Sequence, residues 1–399
     1  MGSSSTVDPA TGKRVQHTKG GFKTQGAAKK HLNLVVGKVE EGSWRPDQPV
    51  TVAELLNSHW LPAMRSRGLR PATITQYEGM ASWYIVPQLG GLKAAALTPA
   101  DIDKLVQHIR TAPSSKGRKG LSPRTAQAAV ATLKAATLWA AKTGLLGRDP
   151  LAAVDTPRRE QLPMKTWTAD EARRFLAHVS GDPLEAAWAL FLTRPLRRGE
   201  VAGLRWDAVH LDEATIEITR TRLTVDGKAI EGTPKTASGR RSIPLDARLV
   251  SLLRAHEKAQ KAAQLRCPDW QGEGHVFTDE WGRPWHPDYF GDRFRSLVES
   301  AGLPRIRVHD TRHTACSLMV QSGVPVKVVQ ELAGHASPAI TMALYVHTVP
   351  SMGRAPGRRG ADGPPLGVAQ AALSTRTRYS RYSCSTKRWP SSIGSRRRL

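Results

Sequence analysis

Helix-start signals recur along this chain and commit most of it to helix. Thr51 is followed by Glu54, and Thr168 by Glu171. This is the capping-box spacing, in which hydroxyl and carboxylate satisfy each other's free amides. Thr98-Pro99 and Ser122-Pro123 place proline at the first helical position, where its missing N–H costs nothing. The runs LLNSHWLPAM, DIDKLVQHIR, RTAQAAVATLKAATLWAAKTG and ARRFLAHV follow these starts. One region reads otherwise. From Ala214 to Val225 β-branched and polar residues alternate, and Asp226-Gly227 turns the chain. Pro234-Lys235 and Arg240 to Pro244 read as short strands around a Ser238-Gly239 turn, with helix resuming near Asp246. The expected fold class is mainly α with small β-sheets, an α+β protein.

Charge narrows the partner. The 399 residues carry a net charge of +25. Such an excess favours a polyanion, nucleic acid above all. The eleven tryptophans do not by themselves argue for a base-stacking module. Cys267, Cys316 and Cys384 lie far apart and match neither CxxC nor zinc spacing, so they read as free thiols in a reducing cytoplasm. No apolar run approaches the ~20 residues a membrane helix needs.

Chemistry concentrates between Arg305 and His347. His309, Arg312 and His313 share one face of a helix by their spacing. VKVVQELA reads as a second helix stopped at Gly334, just before His335. Ser337-Pro338 opens a third helix that carries Tyr345. Arginine grips phosphate oxygens and keeps its charge, histidine moves protons near neutral pH, and tyrosine can attack covalently. The set suits phosphoryl transfer.

HDTRH, then LAGH, then YVH resembles the C-terminal signature of the tyrosine recombinases, the phage integrase family. PLRRGEV resembles the block of the first catalytic arginine, here Arg197, and TPKTASGR the β-hairpin of the catalytic lysine, here Lys235. The resemblance implies that Tyr345 attacks a DNA phosphate to give a 3′-phosphotyrosyl bond. Arg197 and Arg312 neutralise the nonbridging oxygens, His335 donates to one of them, Lys235 protonates the leaving 5′-oxygen and His309 accepts the tyrosine proton. It implies no cofactor, neither metal nor ATP. His313 reads as a packed structural residue, and His347 as support for the site.

The resemblance also implies an order of domains. Residues 1–48 would form a short arm-type DNA-binding domain, a strand-turn fragment and a helix from about Thr24 to Glu41, with Lys13, Arg14, Lys19, Lys23, Lys29 and Lys30 as DNA contacts. Residues 50–157 would form a helical core-binding domain that clamps DNA through Arg70, Thr73, Lys116, Arg118, Lys119, Arg124 and Lys134. Residues 160–350 would be catalytic, and 351–399 a basic, disordered tail. The implied partners are double-stranded DNA with attachment-type sites, a homotetramer on that DNA, a directionality factor and a DNA-bending protein. The implied location is the bacterial cytoplasm, on the nucleoid when bound, and the implied task is integration or excision of a phage or mobile element.

The chain departs from the family at three places. Arg194-Pro195 stands where Thr-Gly is usual, which threatens the aim of Arg197. The N-terminal unit is short. After Met352 the composition turns to Gly, Pro, Ser and Arg, where the family has an amphipathic helix that docks on a neighbouring protomer. The alternative to an enzyme is therefore a catalytically impaired relative that only binds DNA. A zinc-hydrolase reading of His309 and His313 is weaker: Asp310 is shorter than the glutamate that motif needs, and Arg312 would repel the ion.

Overall fold

A computed structural model describes residues 2–7, 14–19, 24–40, 50–111, 120–157, 164–234 and 239–334. The chain divides into two compact units, Met1–Leu162 and Pro163–Leu399. Among the described residues no helix is long and apolar enough to cross a membrane.

The first unit begins with a hairpin. Strand β1 (Gly2–Val7) pairs antiparallel with β2 (Arg14–Lys19), and α1 (Gln25–Glu40) follows. The helical part starts at Thr51, whose hydroxyl caps Glu54 N–H at 3.2 Å while the Glu54 carboxylate takes Thr51 N–H at 2.8 Å. Helix α2 (Val52–Glu54) continues through a π-helical stretch, Leu55–Trp60, into α3 (Leu61–Ser66). Helix α4 (Pro71–Met80) continues likewise through Ala81–Ile85 into α5 (Val86–Leu89). Helices α6 (Pro99–Thr111) and α7 (Pro123–Lys142) close the bundle. Its core gathers Leu55, Leu56, Trp60, Ile85, Leu105, Ile109, Val130 and Leu133.

The second unit wraps helices around α9 (Glu185–Thr193), every residue of which except Glu185 is buried. A helix apolar on all sides must be covered on all sides. Helix α8 (Ala169–His178), α11 (Ala247–Arg266) and α13 (Val308–Gln321) pack on it. Trp167, Phe175, Trp188, Phe191, Phe290 and Phe294 form a continuous aromatic cluster, the last two from α12 (Pro287–Ser300). The short helix α10 (Arg198–Ala202) follows α9, and α14 (Val326–Ala333) follows α13.

The strands contribute Ile216, Ile218 and Ile243 to this core. β3 (Val209–His210), β4 (Thr215–Ile218) and β7 (Arg241–Pro244) form an antiparallel sheet in the order β3-β4-β7. β5 (Thr221–Val225) and β6 (Lys228–Gly232) form a hairpin turned by Asp226-Gly227. The expected alternation is therefore shared by two sheets. β7 takes β4 as its partner, Ile216 opposite Ile243, and Pro234 lies past the end of β6. The reason is burial: Ile216 and Ile243 are both fully buried, so their cross-strand pair enters the core.

Candidate active site

The site is built at two helix starts and one helix end. Arg197 stands just before α10, and the Glu200 carboxylate accepts its N–H at 2.8 Å and its Nη1 at 2.7 Å. Arg307 stands just before α13 in the same relation to Asp310, which accepts its N–H, Nε and Nη2 at 2.8, 3.0 and 2.8 Å. Arginine at the cap with an acid three residues on thus opens both helices. The acid satisfies a free amide and complements the positive helix end.

Arg312 is buried in α13. Its Nη1 donates to the Pro195 carbonyl at 2.7 Å and its Nη2 to the Ala333 carbonyl at 2.5 Å. Arg197 Nη2 donates to the next carbonyl, Gly334, at 3.0 Å. Helix α14 ends there because Gly334 takes the left-handed conformation, φ 62 and ψ 45. Arg241 reaches the same helix end: its Nε donates to the Leu332 carbonyl at 2.6 Å, and its Nη1 and Nη2 bind the Glu200 carboxylate at 3.0 and 2.8 Å. Three guanidiniums thus meet three successive carbonyls at the negative end of one helix.

The charges are balanced by this arrangement. Burial would push the Glu200 carboxyl up, but the bonds and charge of Arg241 and then Arg197 hold it below the usual carboxylate range. Burial lowers Arg312 to about 10, with the Arg197 charge adding to it, so it stays a cation at neutral pH. His309 is exposed as a residue, yet its pKa falls to about 4. Lost hydration of the ring comes first, and the positive charges of His313 and Arg312 follow. His309 is thus neutral at pH 7, and the same setting makes it a weaker base than an ordinary imidazole. His313 meets it edge-to-face with ring centroids 5.3 Å apart, and is half-buried.

Arg194-Pro195 does not disorganise the site. Arg194 is buried and donates to the Thr193 and Pro244 carbonyls at 2.8 and 2.7 Å and to Asp246 Oδ2 at 3.0 Å. Leu196 N–H closes a tight turn on the Arg194 carbonyl at 2.7 Å. Proline's fixed φ suits the centre of such a turn. The turn aims the Pro195 carbonyl at Arg312.

The structure brings together Arg197 and Arg312 of the expected catalytic set, and His309 lies one turn before Arg312 on α13. Lys235, His335 and Tyr345 lie outside the described residues, as does the tail. Glu200 and Arg241 are the residues that sequence reasoning missed. The signal for Glu200 was present, an acid three residues after Arg197. None marked Arg241, which is one arginine in a basic stretch.

Of the expected DNA contacts, Lys29 and Lys30 are exposed on α1, and Arg124 is exposed in the first turn of α7. Arg14 and Lys19 bound β2. Arg70 and Thr73 sit half-buried at the start of α4. Lys134 is half-buried and its ammonium donates to the Val154 carbonyl, so it serves the bundle's own packing. Lys13, Lys23, Lys116, Arg118 and Lys119 lie outside the described residues.

Among the described residues no third ligand joins His309 and His313. Glu231, Glu273 and His275 do approach one another elsewhere in the unit. There His275 Nε2 lies 2.6 Å from Glu231, and the guanidiniums of Arg222 and Arg205 oppose added positive charge.

Comparison with known proteins follows the same division. Residues 165–351 match the model of the phage integrase family, residues 4–39 an arm DNA-binding domain, and residues 51–110 the phage integrase N-terminal SAM-like domain. A XerC-like tyrosine recombinase of Caldanaerobacter subterraneus is 27% identical over 323 residues, covering 76% of this chain and 81% of its own. An integrase of Streptomyces ambofaciens is 27% identical over 350 residues, covering 85% and 86%. The fold is similar to the Tn1549 transposon integrase solved with transposon right-end DNA: TM-score 0.62, 21% identity, 84% of this chain and 100% of that one. It is also similar to a lambda integrase tetramer on a Holliday junction: TM-score 0.56, 17% identity, 90% and 95%.

Proposed function

The chain belongs to the phage integrase family of tyrosine recombinases, and from that premise we propose that it cleaves and rejoins DNA through a 3′-phosphotyrosyl intermediate, to integrate or excise a phage or mobile element. The observation that carries the reading is the convergence of Arg197 and Arg312 on the end of α14. Arg312 is buried and Arg197 half-buried, and both are already fixed by hydrogen bonds, so the pair can neutralise a phosphorane-like transition state with little reorganisation.

In the proposed step the Tyr345 phenolate oxygen bonds to the scissile phosphorus and the bond to the 5′-oxygen breaks. His309 takes the phenol proton, and Lys235 gives a proton to the departing 5′-oxygen. His335 donates to a nonbridging oxygen. The new phosphodiester with tyrosine replaces the old one, so bond energy is conserved. Attack by the 5′-hydroxyl of a second strand reverses the step. Unperturbed tyrosine titrates near 10, so a base or a cationic pocket is needed at neutral pH.

The chain's parts take proposed roles in this scheme: 1–48 binding arm-type sites, 50–157 clamping the core site, 160–350 catalysing, and 351–399 holding DNA as a basic tail. The net charge of +25 supports a DNA partner. Assembly on attachment-type sites as a homotetramer is proposed by likeness to the lambda complex, and a cytoplasmic location goes with it.

The test uses supercoiled plasmid with EDTA and without ATP. Relaxation is expected, with a protein–DNA adduct that survives denaturant and disappears in Tyr345→Phe. An adduct that persists in Tyr345→Phe would sink the assignment of the nucleophile. Tight DNA binding without any adduct, even on a fragment carrying the element's own ends, would favour the binding-only alternative.

A further inference from the structure

We propose that Arg241 is a positioning residue of the active site, fixing the end of α14 against Glu200 so that Arg197 and Arg312 keep their places. Its side chain is only 7% exposed. Its hydrogen-bonding nitrogens are already engaged: Nε with Leu332, Nη1 with Glu200 and the Gly239 carbonyl, and Nη2 with Glu200. It therefore acts through its neighbours and does not grip substrate itself.

The geometry explains why three cations can share this corner. Arg241, Arg312 and Arg197 take the carbonyls of Leu332, Ala333 and Gly334 in turn. These are carbonyls that a helix end leaves without intrahelical partners, and they carry its partial negative charge. The buried Glu200 carboxylate supplies the remaining compensation. It binds Arg241 through both oxygens, and shares Oε1 with Arg197 at 2.7 Å.

Removal of Arg241 has two local consequences. The Leu332 carbonyl loses its donor, which frees the last turn of α14. Glu200 is left with Arg197 alone, so that guanidinium is drawn toward the carboxylate and away from Gly334. Lysine cannot replace the arginine, because one ammonium cannot reach Leu332 and both oxygens of Glu200 with a fixed planar fork.

The experiment compares the full chain with Arg241→Met and Arg241→Lys by hydrogen–deuterium exchange and by the adduct assay above. In Arg241→Met, exchange across 326–334 should rise about ten-fold, the factor one lost charge-assisted bond implies, while 185–193 in α9 stays as it was. Arg241→Lys should leave most of that rise in place. Adduct yield should fall about ten-fold or more at unchanged DNA affinity, because phosphate grip and proton transfer depend on placement. The role in catalysis rests on the recombinase reading. If the unaltered chain forms no adduct, that reading fails and exchange alone decides the anchoring of α14. Unchanged exchange at α14, an equal rise in α9, full restoration by lysine, or an unchanged adduct yield from an active parent would each overturn the proposal.

Discussion

His309 carries a prediction that its chemistry sets at the level of one ring. Its pKa lies at about 4 in the folded chain against an ordinary 6.5. Between those values the unfolded chain binds the extra proton and the folded chain does not. The contribution to stability is therefore fully present above about pH 6.5 and is lost as pH falls toward 4. Denaturation midpoints across that window should fall less steeply in His309→Gln than in the parent. Adduct formation should also persist to about pH 5, where an ordinary histidine would be protonated; a rate that halves near pH 6.5 would contradict a neutral acceptor at this position. Arg194 carries a second prediction. Arg194→Met leaves Asp246 without its guanidinium in a largely buried place, at a cost of about 3–5 kcal/mol. Urea unfolding measures it. Returning 194–195 to Thr-Gly should destabilise the chain for the same reason, where a simple repair of the family pattern would stabilise it. From the sequence Pro195 looked like a fault. The structure makes it a carbonyl for Arg312.

The element that matters most at the next scale is the short helix α10. It is held close to β5 by two glycines. A Cβ on Gly199 would meet the Arg222 carbonyl oxygen at 2.6 Å, and one on Gly203 would meet Thr221 and Arg222 backbone at 2.9 Å. Gly203→Ala should therefore push α10 from β5, costing about 1–3 kcal/mol and reducing adduct yield through Arg197. Unchanged thermal unfolding and yield would refute this contact. The capping boxes give a milder case. Thr168→Ala removes an acceptor 3.2 Å from Glu171 N–H, and should cost about 1 kcal/mol by chemical denaturation with no effect on DNA affinity. Helix existence was legible where the pattern was strong: EAAWALFLT, VKVVQELA with its Gly334 stop, and the helix after Asp246 all form where the pattern puts them. The strands were legible as strands but not in their pairing. Alternation names the buried face of a strand, and says nothing of which neighbour covers it.

Across the whole molecule, the excess positive charge makes binding strongly salt-dependent. A chain that neutralises six to ten phosphates loses about 10³–10⁵ in affinity between 50 and 200 mM salt. Fluorescence anisotropy on a generic duplex should show a steep linear fall of log affinity with log salt, and a shallow slope would argue against an extended DNA path. The sequence by itself determined the helical class, and it pointed to a nucleic-acid partner and to the residue types of a candidate site. Those follow from local capping chemistry, composition and motif spacing, which need no knowledge of what lies across the fold. Only the tertiary structure decided that Arg241 and Glu200 belong to the same corner as Arg197 and Arg312. It also decided that Lys134 turns inward and that β7 joins β4. The physical reason is that each depends on a partner distant in sequence: a helix end with open carbonyls, a buried carboxylate, or a strand whose inward face needs covering. Such partners meet only when the core closes.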